Sequence, residues 1–314
     1  MSDHPAPRPM RRLAWVAAIA TLALVEMGFV VTFTNSGQGC GGSWPLCGGR
    51  FIPEIAFHPL IEFSHRALAA IIAVLVVWLA VWVWRRRQVP LERYLAAVAV
   101  LFILVQAAIG AADVIAPESA PVLALHFGFA LIALGATTLL AVALSQSRIP
   151  VTPLRPALRY LSAVTFVYLY LAVYLGAFVA HQDAGLACLT WPLCTVHVAA
   201  ALRPAVQLDE FHRLVAVGLT VLLGLIFWQA RGQRTERPDV AQAAHVAIGV
   251  VALQILSGVL LVLSQIATWA VLIHVGLVSV LFVAVGYLLV ASLGGLGEQT
   301  SADAGAEAGP SAGS

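Results

Sequence analysis

Residues 62–87 read EFSHRALAAIIAVLVVWLAVWVWRRR, and residues 209–231 read DEFHRLVAVGLTVLLGLIFWQAR. Each opens on an acid three residues before a His-Arg pair, continues through an apolar run of about 20 residues and stops at arginine. At about 1.5 Å rise per residue, a helix of that length crosses the roughly 30 Å hydrocarbon layer of a bilayer. Two such helices with an acid, a histidine and an arginine in the same register mean that the chain holds one membrane unit twice.

The repeat extends outward from these helices. Upstream of Glu62 lie Cys40 and Trp44-Pro45-Leu46-Cys47; upstream of Asp209 lie Cys188 and Trp191-Pro192-Leu193-Cys194, and the second cysteine precedes the histidine by 18 residues in both copies. Downstream, Gln106, Gly110 and His126 match Gln254, Gly258 and His274, with 20 residues from glutamine to histidine each time. A period of about 148 residues that preserves histidine and cysteine, and not only apolar positions, points to a duplicated chemical site.

Of the 314 residues 61% are hydrophobic and 10% charged, and mean hydropathy is +0.93. That balance is far from a water-soluble domain and makes lipid, not nucleic acid, the expected surroundings. Eight apolar runs fall near residues 13–33, 62–84, 92–113, 122–145, 160–181, 208–230, 240–264 and 268–291. The expected fold class is all-α and integral to the membrane, with eight transmembrane helices in two tandem four-helix bundles. An even number of helices per unit brings both units in from the same side, so the sequence predicts a pseudo-twofold axis along the membrane normal.

The chain has no lysine, and 13 of its 17 arginines precede the first run or lie between runs 2 and 3, 4 and 5, and 6 and 7. The positive-inside rule assigns that side to the cytoplasm. Both termini are expected there, with the loops near 34–61 and 182–207 on the outer face of the plasma membrane. The expected division is a cytoplasmic tail over 1–10, an N-terminal four-helix half over 11–146, a cytoplasmic linker over 147–159, a C-terminal half over 160–292 and a disordered tail over 293–314. The first apolar run contains Glu26, aligns Gly28 with Gly176 of the fifth, and is too long for a signal-peptide core, so it reads as a retained helix.

His65 and His126 lie about four residues inside the outer ends of helices 2 and 4, which both run inward, and His212 and His274 repeat this on helices 6 and 8. Each pair therefore sits at one depth. Ionisable residues inside a membrane are rare and usually functional, and two matched pairs on alternate helices read as ligands. A structural zinc site takes four nitrogen or sulfur ligands, whereas each half offers two histidines and keeps its cysteines in a loop. Two imidazoles on facing helices suit the axial positions of a haem iron, so haem is expected in both halves. No Cys-x-x-Cys-His occurs, which excludes covalent c-type attachment. His4, His181, His197 and His245 lack counterparts and read as non-ligands, while His58, one turn before Glu62, is placed to assist it.

Arg66 and Arg213 follow the first histidine of each half and are either propionate partners or interfacial anchors. Cys40 with Cys47 and Cys188 with Cys194 are local, outward-facing pairs expected to form disulfides, as plain staples or as redox pairs beside haem. Glu62 and Asp209 share a helical face with the histidine that follows. Each is either a helix-start carboxylate favoured by the macrodipole or a proton acceptor at a haem face. Glu210 reads as an ordinary loop-end acid, Gln106 and Gln254 as helix-packing contacts, and Glu26 has no visible partner.

Together these residues resemble the haem A synthase family over residues 11–291: eight helices in duplicated units, paired histidines on the even-numbered helices, Glu-x-x-His-Arg at Glu62 to Arg66, and cysteine pairs in the outer loops. The resemblance implies that the C8 methyl group of haem O is oxidised to a formyl group by successive hydroxylations, and that haem A results for cytochrome oxidase. It implies that His65 and His126 receive the substrate haem O, that His212 and His274 hold a permanent haem b, and that Glu62 is catalytic. The insolubility of haem O makes the haem O synthase, a protohaem farnesyltransferase, a candidate partner. Two rival readings stay open. A di-haem b-type electron carrier linked to quinone would leave haem O unchanged, and a membrane thiol-disulfide oxidoreductase would make the histidines incidental.

Overall fold

The computed structural model describes residues 5–116, 119–146, 154–192, 194 and 203–293. Their helices are α1 (Arg8–Phe33), α2 (Phe57–Arg86), α3 (Pro90–Ile115), α4 (Ala120–Ser145), α5 (Pro156–His181), α6 (Pro204–Arg231), α7 (Pro238–Leu263) and α8 (Thr268–Leu293), with a 3-10 turn at Ala184–Leu186. All eight are long and apolar enough to cross a bilayer. Among the described residues there is no strand, only an isolated bridge between Cys47 and Arg50. The chain is an all-α membrane protein.

Proline occupies the first turn of α1 and α3 to α7, where its fixed φ suits a helix and its missing N–H would have had no partner. Hydropathy locates the spans but not their ends. Helix α2 starts at Phe57 and α6 at Pro204, so Glu62 and Asp209 lie in second turns, and neither helix has an acid in its first turn. The helix-start reading of both carboxylates therefore falls, since the macrodipole acts mainly within the first turn. Helix α1 starts at Arg8, so residues 8–10, expected in a tail, are its first turn, and Met10 is fully buried. Ahead of it Ala6 N–H donates to Leu144 O at 3.0 Å, tying the chain start to the end of α4. Residues 1–4, 147–153 and 294–314, which hold His4, much of the expected linker and nearly all of the C-terminal tail, lie outside the described residues, as does His197.

Each set of four helices closes into a ring. Helix α1 packs on α2, α2 on α3, α3 on α4 and α4 on α1; α5 packs on α6, α6 on α7, α7 on α8 and α8 on α5. Helices α2 and α4 are therefore diagonal partners, as are α6 and α8. The rings meet where α8 touches α1 and α4, and where α4 touches α5. Small residues allow close approach at this seam, as is common between membrane helices. An added Cβ at Gly135 would stand 3.3 Å from the Phe282 ring, and one at Gly286 would stand 3.4 Å from Leu139. Helices α4 and α8 are the most buried, whereas Ile71, Val74, Trp78, Leu101, Val217 and Leu225 face outward toward lipid.

At the arginine-rich end stand two ion pairs, one buried and one with its carboxylate half-buried. Arg87 donates from Nε to Glu92 Oε2 at 2.8 Å and from Nη2 to Oε1 at 2.9 Å, spanning the α2–α3 turn. Arg237 grips both oxygens of Asp239 at 3.0 and 2.9 Å, and the Tyr287 hydroxyl donates to the same carboxylate at 2.8 Å. The two-point geometry offsets the desolvation of each pair. Some of the arginines that set the expected orientation thus also fasten helix turns.

Candidate functional site

The diagonal helices carry the four histidines. His126 on α4 lies within electrostatic reach of His65 on α2, and His274 on α8 within reach of His212 on α6. Each imidazole rests beside a glycine of the preceding helix: His65 by Gly28, His126 by Gly110, His212 by Gly176 and His274 by Gly258. A Cβ added at those glycines would lie 3.5, 3.6, 2.8 and 3.7 Å from the ring Cε1. Three of these are ordinary contacts, but the third is a collision, so position 176 accepts only glycine while His212 stands where it does. The glycines that the repeat aligned are seats for imidazole rings.

Nδ1 of His65, His126 and His212 is buried without a hydrogen-bond partner. Buried polar atoms normally have one, so these three nitrogens are open to a group that the side chains around them do not supply. No group of three or more His, Cys, Asp or Glu side chains converges on a common point among the described residues. A pair of imidazoles is too few for a four-ligand zinc site and suits a haem iron, which His65 with His126, and His212 with His274, would hold. His274 differs from the other three: its Nδ1 lies 2.8 Å from Ser257 Oγ.

The cysteines pair as Cys40 with Cys47 and Cys188 with Cys194, and both loops carry a cis Trp-Pro bond. In the first loop, Cys40 N–H donates to Glu62 Oε2 at 2.7 Å, while Glu62 Oε1 accepts from Arg66 Nη2. Arg66 Nη1 also donates to the carbonyls of Ser43 and Leu46 at 2.8 and 3.2 Å, inside the disulfide ring. Its Nε is buried and unpartnered. Glu62 itself is only 3% exposed. In the second loop, Asp209 Oδ2 accepts from Arg213 Nη2 at 2.9 Å, and Arg213 donates to Thr190 O at 2.6 Å and Cys188 O at 2.9 Å. Cys194 N–H goes instead to Glu210 Oε1 at 3.3 Å. Glu210, read from the sequence as an ordinary loop-end acid, is a loop anchor.

His58 Nδ1 lies 3.1 Å from Ser36 Oγ, while the carboxylate of Glu62 accepts from Cys40 N–H and Arg66. His245 sits with Nδ1 2.6 Å from Ala241 O and its ring edge against Phe227, as a satisfied helix residue. His181, also without a counterpart, ends α5 within electrostatic reach of His126 and Asp113. Gln106 donates to the backbone carbonyl of His126, joining α3 to α4, but Gln254 Oε1 is buried without a partner. Glu26 stands at the seam, where a Cβ at Gly276 would be 3.2 Å from its Oε1, and its Oε2 is buried and unpartnered. Sequence reasoning missed Ser257, whose match in the first half is Ile109, so the repeat gave no signal for it.

The profile of the COX15-CtaA family, described as cytochrome oxidase assembly protein, matches residues 54–285. The chain is 36% identical over 291 residues to the Heme A synthase of Symbiobacterium thermophilum, covering 90% of this chain and 94% of that one. It is 36% identical over 289 residues to the Heme A synthase of Shouchella clausii, covering 89% and 96%, and 35% identical over 298 residues to that of Geobacillus kaustophilus, covering 90% and 92%. The chain belongs to the COX15-CtaA family of cytochrome oxidase assembly proteins.

Proposed function

We propose that this chain is a haem A synthase, a membrane oxidoreductase that converts the C8 methyl group of haem O to a formyl group and so supplies haem A for cytochrome oxidase. The observation that carries the reading is the histidine pair on the diagonal helices of each ring, every imidazole seated on a glycine and three of them without a protein partner at Nδ1. Relatives named Heme A synthase, aligned along almost their whole length, support it.

In this reading His65 and His126 receive haem O, and His212 and His274 hold a resident haem b. When bound, that haem supplies one-electron chemistry at its iron. Glu62 lies one turn before His65 on the same helical face and accepts a proton as the methyl group is oxidised, a role of carboxylates poised at a reacting group. Arg66 keeps its unpartnered Nε for a haem propionate, and Arg213 is the matching candidate in the second half. The halves are 11–146 and 160–292, related by a pseudo-twofold axis. The arginine-rich end and both termini face the cytoplasm, the cysteine loops face outward from the plasma membrane, and the haem O synthase hands over the substrate.

The test is pigment analysis of membranes expressing this chain beside a haem O source. Haem A is the expected product. Retained haem with unchanged haem O would return the di-haem carrier, and absence of haem absorption would return the thiol-disulfide enzyme.

A further inference from the structure

We infer that Ser257 is a positioning residue for the resident haem: its hydroxyl fixes the tautomer of His274 and leaves Nε2 as the nitrogen that faces iron. The inference rests on reading His274 as an axial ligand, and it assigns a cause for the different behaviour of the two haem sites.

Ser257 is 3% exposed, with Oγ 2.8 Å from Gln254 O and 2.8 Å from His274 Nδ1. A hydroxyl has one hydrogen to give and lone pairs to receive. The Gln254 carbonyl can only accept, so the hydroxyl hydrogen goes there. Directing it at His274 instead would leave two oxygens in bare contact at 2.8 Å. Ser257 Oγ is therefore the acceptor toward His274, and Nδ1 carries the proton. Neutral imidazole has one N–H and one lone pair, and the partner of one nitrogen sets the role of the other. The lone pair is then on Nε2.

A ring N–H held by an outer acceptor orients a metal-bound histidine and raises its basicity. Of the four histidines only His274 has such a partner, since Nδ1 of His65, His126 and His212 is buried and unpartnered. The residue 17 positions before His126 is Ile109, where the second half has Ser257 17 positions before His274. One half thus carries a fixed ligand, suited to a group that stays. The other half has two unbraced imidazoles, suited to a haem that enters as substrate and leaves as product.

The purified full-length chain with its haem, redox-titrated by absorption, provides the test. Ser257→Ala should raise the midpoint potential of the His274-dependent haem, because a less basic ligand stabilises ferric iron less, and should weaken retention about 10- to 100-fold. Ser257→Thr, which keeps the hydroxyl, should match wild type. Equal potentials in wild type and Ser257→Ala would overturn the inference. If Ser257→Ala purifies without haem, nitrogen-15 NMR of the histidine-labelled full chain reads the tautomer directly in haem-free samples. His274 is expected to be Nδ1-protonated in wild type and to shift toward the Nε2-protonated form in Ser257→Ala; the same tautomer in both would overturn it. His274→Ala separates the two layers. Unchanged haem content in that variant would remove the ligand reading and this inference together, whereas a His274-dependent haem indifferent to Ser257 removes this inference alone.

Discussion

The two halves tether their cysteine loops to the histidine helix by different means. In the first, the single carboxylate of Glu62 takes both Cys40 N–H and Arg66; in the second, Asp209 takes Arg213 and the neighbouring Glu210 takes Cys194 N–H. Duplication has kept the outcome, a disulfide loop held about one turn from a buried histidine, and not the residues that achieve it. The difference has a functional edge. Glu62 cannot change its partners without altering both the loop and the acid one turn before His65, whereas Asp209 can lose its charge while Glu210 still holds the loop.

The sharpest way to break this comparison is to neutralise the two acids in turn. Glu62→Gln keeps the size of the side chain and should cost about 10²- to 10⁴-fold in haem A formation. It should retain haem b while haem O or a hydroxylated product accumulates. Asp209→Asn should cost far less. Near-normal haem A from Glu62→Gln, read by chromatography of extracted haems, would reduce Glu62 to a loop anchor.

The glycine seats offer a second contrast. A methyl group at Gly176 meets His212 at 2.8 Å, while one at Gly28 stays 3.5 Å from His65. Gly176→Ala should therefore lower haem b per chain about 10-fold or more, the scale expected when support for a metal ligand is lost, and Gly28→Ala should leave both haem content and turnover close to wild type. Equal haem content in the two variants would show that the ring of His212 has room to move.

The smallest effect is expected from the disulfides. Mass mapping of non-reduced peptides should find Cys40 joined to Cys47 and Cys188 joined to Cys194. Replacing Cys40 and Cys47 with serine should slow turnover less than Glu62→Gln does, because Cys40 N–H remains to meet the carboxylate. The same change at Cys188 and Cys194 should leave turnover nearly unaltered. A cross-pairing between loops, or a larger loss from the second pair, would reverse this ranking.

Much of the fold was legible in the sequence because lipid demands long apolar runs, and eight of them stand out. Their ends were harder to read. The N-terminal turns of α2 and α6, around His58 to Ile61 and Val206 to Leu208, mix polar and apolar residues, so hydropathy started both helices late. The histidines and cysteines were visible because the repeat preserved them. Glu210 and Ser257 were not, because each acts where the halves have diverged, Glu210 by taking over half of the Glu62 role and Ser257 opposite Ile109. The ring seats at Gly28, Gly110, Gly176 and Gly258 were visible only as aligned glycines, since the contact that explains them runs between helices.

The measurement that bears most directly on a substrate half and a resident half is haem content per purified chain, with haem A yield, for four single variants. His212→Ala and His274→Ala should remove most of the co-purifying haem b. His65→Ala and His126→Ala should keep much of that haem b and abolish haem A formation. Loss of haem b from the His65 and His126 variants, with retention in the other two, would contradict the assignment.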